Sequence, residues 1–205
     1  MRGVQSSRVP EPATSREEVA ALVARARVAQ RRYERCTQEQ VDEVVTAAGW
    51  AIVAPENNRA LAELAVATTG LGNVSDKILK NRRKTMGLLR DLRGARSVGV
   101  IAEDPARGLV EIVRPVGVVG AVVPSTNPAA TPANNIINAL KGRNAIILSP
   151  SPKGVATCAK LLEFVHAELD RTGAPRDLVQ QLPSASKEAT AELMRQVDLV
   201  IVTGS

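Results

Sequence analysis

The sequence predicts an α/β fold: a parallel sheet with helices on both faces, preceded by a helical segment and carrying one β-hairpin. Three observations point to it. From Gly117 onward, short apolar runs alternate with longer amphipathic stretches, the spacing of right-handed βαβ crossovers. The first half instead carries helix-start and helix-stop signals. Aromatic residues make up 1% of the chain against 44% hydrophobic, so the core must be built from Val, Ala, Leu and Ile, as in a sheet covered on both sides. A chain of 205 residues holds one sizeable domain and not two large ones.

Residues 1–14 are polar and contain proline without an apolar run, so they read as a disordered leader and not as a signal peptide. Helical signals fill 15–96. Ser15-x-x-Glu18 and Thr37-x-x-Gln40 fit the capping box, in which hydroxyl and N3 side chain satisfy each other's orphan N–H groups. A third helix is expected from Pro55, suited to a first turn, to the stop at Thr69-Gly70. A fourth is expected from Ser75 to near Gly94.

Residues 97–114 read as a hairpin, with strand-like runs Val98–Ala102 and Leu109–Val113 around the polar loop Glu103–Gly108. Two strands alone are marginal, so the ribbon calls for a partner, and a subunit contact would supply one. In 115–205 the expected order is strand Val118–Val123, helix Thr131–Lys141, strand Asn144–Leu148, helix Lys153–Thr172, strand Leu178–Leu182, helix Lys187–Arg195 and strand Leu199–Val202.

Composition narrows the function classes. Cys36 and Cys158 are neither a disulfide framework nor a metal-type pair, which fits a reduced compartment. The longest apolar stretch, Val116–Pro124, falls well short of the roughly 20 residues of a membrane span. A cytoplasmic protein with no membrane partner is expected. Lys77, Lys80, Arg82, Arg83, Lys84, Arg90, Arg93 and Arg96, against Asp76 and Asp91, equal the whole net charge of +6. Ile78, Met86, Leu89 and Leu92 recur at near-helical spacing, so these cations read as a wet helix face or as a site for a phosphorylated ligand. Nucleic acid is disfavoured, because no aromatic stacking platform accompanies the charge.

Ligands of open α/β sheets bind beyond the carboxyl ends of the strands. Those ends are Pro124-Ser125-Thr126-Asn127-Pro128, Ser149-Pro150-Ser151-Pro152-Lys153-Gly154, Pro183-Ser184-Ala185-Ser186 and Thr203-Gly204-Ser205, all small, hydroxyl-rich or Pro/Gly segments. They suit a floor of backbone and hydroxyl contacts for a nucleotide-like ligand, or ordinary helix N-caps. Gly117 and Gly120 lie within the first strand region, so the G-x-G-x-x-G fingerprint is absent. Asn127 could close an Asx-turn or donate to a developing oxyanion. His166, mid-helix without a partner in sequence, reads as structural.

The segment RPVGVVGAVVPSTNPAATPANNIINALKGRNAIILSPSPKG (114–154), with GAPRDLVQQLP and VDLVIVTGS downstream, resembles the CoA-acylating aldehyde dehydrogenases. YERCTQEQVDEVV, AVATTGLGNVSDKILKN and GVIAEDPARGLVEIVRPVG extend the resemblance upstream to about residue 15. It implies a Rossmann-type cofactor domain of the aldehyde dehydrogenase kind, with 97–114 as the oligomerisation hairpin of a homo-oligomer. By resemblance, Asn127 falls on the oxyanion-hole asparagine. Pro124, Ser125 and Thr126 line the cofactor site, and Ser149, Pro150, Ser151, Pro152 and Lys153 fall where the adenosine lies. Thr203, Gly204 and Ser205 form the turn that opens the helix beside the pyrophosphate.

In that family a cysteine thiolate attacks the aldehyde, the Asn amide holds the oxyanion, hydride passes to NAD or NADP, and coenzyme A releases the thioester as acyl-CoA. Many members carry His where Ser151 stands, and other aldehyde dehydrogenases hold the ribose with Lys and Glu. Here no carboxylate opposes a 2′-phosphate, and both NAD and NADP stay open. The family's nucleophile lies downstream of the T-G-S turn and matches neither Cys36 nor Cys158. The resemblance therefore implies that residues 1–205 are an amino-terminal cofactor-binding portion, inactive alone, or a non-catalytic nucleotide-binding module. Acetaldehyde, propionaldehyde and sulfoacetaldehyde are the substrates it suggests, and the basic 77–96 segment would suit an anionic substrate or coenzyme A.

Overall fold

The computed structural model describes residues 14–204, so the expected leader lies outside it except for Thr14. Four helices come first: α1 (Ser15–Tyr33), α2 (Gln38–Val53), α3 (Pro55–Thr69) and α4 (Val74–Leu92). The first capping box is displaced by one residue, because Thr14 and Glu17 make it and Ser15 is already helical. Thr37 and Gln40 form the second as expected, Pro55 opens α3, and Gly70 ends it in the left-handed conformation. For α4 the cap is Asn73, whose side chain accepts from the Asp76 N–H at 2.9 Å, so Ser75 is inside the helix.

The hairpin is β1 (Gly99–Asp104) and β2 (Leu109–Val113), antiparallel and separate from the main sheet. The main sheet contains β3 (Val118–Val123), β4 (Ala145–Pro150), β5 (Val179–Gln181) and β6 (Leu199–Val202), all parallel, in the order β5-β4-β3-β6. Helices α5 (Ala130–Lys141), α6 (Val155–Thr172) and α7 (Lys187–Gln196) are the crossovers. From β3 the chain steps outward twice and then returns to the other side of β3. With right-handed crossovers, this reversal puts α5 and α6 on one face and α7 on the other. Helix α1 packs beside α7, while α2 lies over α5 and α6 with α3 and α4 beyond. The sheet is thus covered on both faces.

β4 is central, and all of its residues are buried. Each buried Ile or Leu contributes about 1.5–3 kcal/mol of apolar transfer, so Ile146, Ile147 and Leu148 form the stable middle of the fold. At the amino ends of the strands, polar side chains replace missing ladder partners. Asn144 Oδ1 accepts from the Val116 and Gly117 N–H groups, and Asp198 Oδ2 accepts from Val118 N–H at 2.7 Å. Gly117 has φ +122°, and a Cβ there would stand 2.3 Å from Asp198 Oδ2, so only glycine fits beneath that carboxylate.

The reading of α4 needs correction. Its buried residues are Lys77, Asn81 and Thr85, whereas Met86 is exposed. A polar stripe faces inward, and two of its three polar ends are met: Asn81 donates to Asn58 Oδ1 at 2.9 Å and Lys77 to a loop carbonyl, while the Thr85 hydroxyl is buried without a partner. His166 is structural, its Nε2 lying 2.8 Å from the Val179 carbonyl.

Candidate functional site

The strand-order reversal lies between β3 and β6, and the carboxyl ends of those strands open the crevice where such sheets hold ligands. Three of the four expected loops meet there. The Thr203 N–H donates to Val122 O at 3.1 Å, and Ser151 N–H to Val123 O at 3.1 Å. A Cβ on Gly204 would come within 3.3 Å of Pro124, and one on Gly154 within 3.3 Å of Pro128 and 3.2 Å of Ser151 Oγ. Pro124, Ser125, Thr126 and Asn127 form the β3–α5 loop; Ser151, Pro152 and Lys153 lead into α6; Thr203 and Gly204 follow β6. Ser205 lies outside the described residues.

Whether these hydroxyls are mere N-caps is decided loop by loop. Ser186 is one: it caps α7 by accepting from Ala189 N–H at 3.0 Å. Ser149 and Pro150 are the buried end of β4, and the Ser149 hydroxyl is engaged with Thr190 on α7 at 2.8 Å. At α5 and α6 the outcome differs. Neither helix has a side-chain cap bond at its start, and Ser151 Oγ is buried without a partner. Two helix starts without side-chain caps and an orphaned hydroxyl therefore border one crevice, a setting favourable to an anionic group. Gly154 and Gly204 keep it shallow enough for backbone approach.

Asn127 does not make an Asx-turn. Among the described residues its Oδ1 accepts from Lys80 Nζ at 3.1 Å, while its carbonyl accepts the Thr131 N–H that starts α5. An ammonium only donates, so it must face the amide oxygen, which leaves Nδ2 available as a donor. One turn earlier on α4, Lys77 Nζ donates to the Thr126 carbonyl at 2.7 Å. Burial, and then the like charge of Lys80, push the Lys77 ammonium below its ordinary value. Reading the cations as a wet helix face missed Lys77, which is buried, whereas Lys80 is exposed as that reading expects. The available signal was the polar stripe Lys77, Asn81, Thr85 at four-residue spacing.

Neither cysteine belongs to the crevice. Cys158 is fully buried on α6, and burial pushes its thiol up to about 12. Cys36, between α1 and α2, is also raised, chiefly by burial and in spite of Arg143. Neither is a thiolate near neutral pH. A surface cleft of about 620 Å³ lined by Asp42, Trp50, Glu168 and Arg171 shares no residue with the strand-end loops, so it is not this site.

Fold and crevice together define a doubly wound α/β domain with a crevice at its strand-order reversal, the place where such sheets hold ligands. The chain belongs to the aldehyde dehydrogenase family, whose profile matches residues 6–205. It is 68% identical over 190 residues to the sulfoacetaldehyde dehydrogenase (acylating) of Cupriavidus necator, covering 92% of this chain and 38% of that protein. An acetylating aldehyde dehydrogenase from Geobacillus thermoglucosidasius superposes with a TM-score of 0.84 at 34% identity, over 91% of this chain and 41% of that one. An engineered glycolyl-CoA reductase with bound NADP+ superposes with a TM-score of 0.77 at 26% identity, over 91% and 42%. The chain therefore spans about two-fifths of the length of these relatives.

Proposed function

We propose that this chain is the cofactor-binding part of an enzyme that oxidises an aldehyde to an acyl-CoA, with NAD or NADP as electron acceptor. The observation that carries the reading is the Asn127 carboxamide, whose oxygen is held by Lys80 in the loop after β3 and whose Nδ2 remains as a donor. An amide fixed in this way is ready to stabilise negative charge developing on a carbonyl oxygen without reorganising. When bound, the nicotinamide cofactor accepts the hydride. The residues that would hold it are Pro124, Ser125 and Thr126, the uncapped α6 start with Ser151, Pro152 and Lys153, and the Thr203-Gly204 turn with Ser205. Since both thiols are raised and lie away from the crevice, the attacking thiolate is supplied from outside residues 1–205. Coenzyme A is the acyl acceptor, as the names of the acylating relatives suggest.

The β1–β2 hairpin would join copies of the chain, because Leu109, Val110 and Ile112 are each more than half exposed and its two strands have no third neighbour among the described residues.

Titrating this chain with NAD+ and with NADP+ by calorimetry tests the reading. Gly204→Val projects a branched side chain toward Pro124 at φ +105° and should weaken binding more than tenfold, with little change in melting temperature. Binding of neither nucleotide, or equal binding by the variant, removes the proposed site.

A further inference from the structure

Lys77 and Lys80 stand one turn apart on α4, and both reach the β3–α5 loop. Among the described residues neither makes an ion pair, although nine such pairs occur elsewhere. Lys77 is 7% exposed, so its charge is held nearly out of water with one carbonyl as its partner. Lys80 is exposed and spends one N–H on Asn127 Oδ1, which leaves two N–H groups free. The α5 start, also without a side-chain cap, adds its positive end beside Asn127. Three sources of positive potential thus gather at the β3–α5 loop, and among the described residues neither lysine is paired with a carboxylate. Such a surplus is stable when a ligand brings the missing anion.

Resting on the proposed function, we infer that Lys80, backed by Lys77, binds the acid group of an anionic short-chain aldehyde and makes this site selective for a sulfonate or carboxylate near the carbonyl. The ammonium touches the same carboxamide whose other end would hold the oxyanion, so the acid group and the carbonyl would be bound side by side. Lys80 then has two linked tasks: it orients Asn127 and it neutralises the substrate's charge.

The discriminating measurement is the ratio of kcat/KM for sulfoacetaldehyde to kcat/KM for propionaldehyde, in a polypeptide that carries this segment together with the nucleophile. Loss of amide orientation lowers both values, whereas loss of the charge partner lowers their ratio. Lys80→Met should reduce the ratio about ten- to a hundredfold, the worth of one charge-assisted hydrogen bond, and Lys80→Arg should restore most of it. An unchanged ratio in Lys80→Met overturns the inference. So does a variant that instead loses affinity for NADP+ or coenzyme A, which would assign the anion to a phosphate of either. A second arm needs no turnover: sulfoacetate should shift the side-chain NMR signals of Lys80 and Asn127 in this chain, and not those of Asn127 in Lys80→Met. If the wild type oxidises no aldehyde, the functional reading fails while this titration still decides the anion site: Lys80-dependent shifts support it, and their absence overturns it.

Discussion

Lys80 Nζ donates to Asn127 Oδ1 at 3.1 Å, and this contact sets which end of the amide meets the lysine and leaves Nδ2 as the remaining donor. The two residues are 47 positions apart, one on a surface helix and the other in a strand-end loop. The helix acts as a brace for the loop.

Asn127→Ala should therefore lower kcat by about a hundred- to a thousandfold in the nucleophile-bearing polypeptide, the usual effect of losing one oxyanion donor. KM should change much less, because the donor matters most in the transition state. Steady-state kinetics with a single aldehyde check this. A fall confined to KM would assign Asn127 to ground-state binding.

Asp198 ties β6 to α1 and β3. Arg27 donates to both of its oxygens at 2.8 and 2.9 Å, and Val118 N–H to Oδ2. Burial raises the Asp198 carboxyl, but the hydrogen bonds and charge of Arg27 and the Val118 N–H outweigh it, so the group sits below its ordinary value of 3.8. A depressed carboxylate contributes stability that is complete above the unfolded value and is lost as pH falls through the folded one. Asp198→Asn should cost about 1–3 kcal/mol at pH 7 and flatten the loss of stability below about pH 4. Urea unfolding at pH 7, 4 and 3 measures both.

In the middle of β4, Ile147 is fully buried. Ile147→Ala should destabilise the domain by about 2–5 kcal/mol, through lost transfer energy and a cavity that a close-packed sheet cannot collapse. Chemical denaturation with an unchanged m-value would confirm it.

Ile112 is exposed on β2, so Ile112→Glu should leave the melting temperature within a degree or two. If the hairpin joins copies of the chain, the same change should lower the molecular mass seen by light scattering. An unchanged oligomer would place the interface elsewhere.

Much of this architecture is legible in local sequence. Thr37-x-x-Gln40, Pro55 and Gly70 mark helix ends through contacts made within four residues, and those signals matched the structure. The expected strands at Val118–Val123, Leu109–Val113 and Leu199–Val202 coincide with those observed, because apolar runs of that length have few alternatives. The expected start of α6 at Lys153 is two residues early, since Pro152–Gly154 forms a tighter 3₁₀ turn first. The strand-end loops were likewise visible as positions. What their hydroxyls do was not, since Ser149 meets Thr190 from 41 positions away while Ser151 has no partner.

By itself, then, the sequence determined the order of helices and strands, the loops that end the strands and the family, because each rests on short-range pattern. Only the tertiary structure decided that the order reverses between β3 and β6, that Arg27 meets Asp198 across 171 positions, and that Lys77 and Lys80 both reach the Asn127 loop. The physical reason is that a lysine's place depends on whether a distant carbonyl or amide is there to receive it. Periodicity along one helix carries no record of that partner.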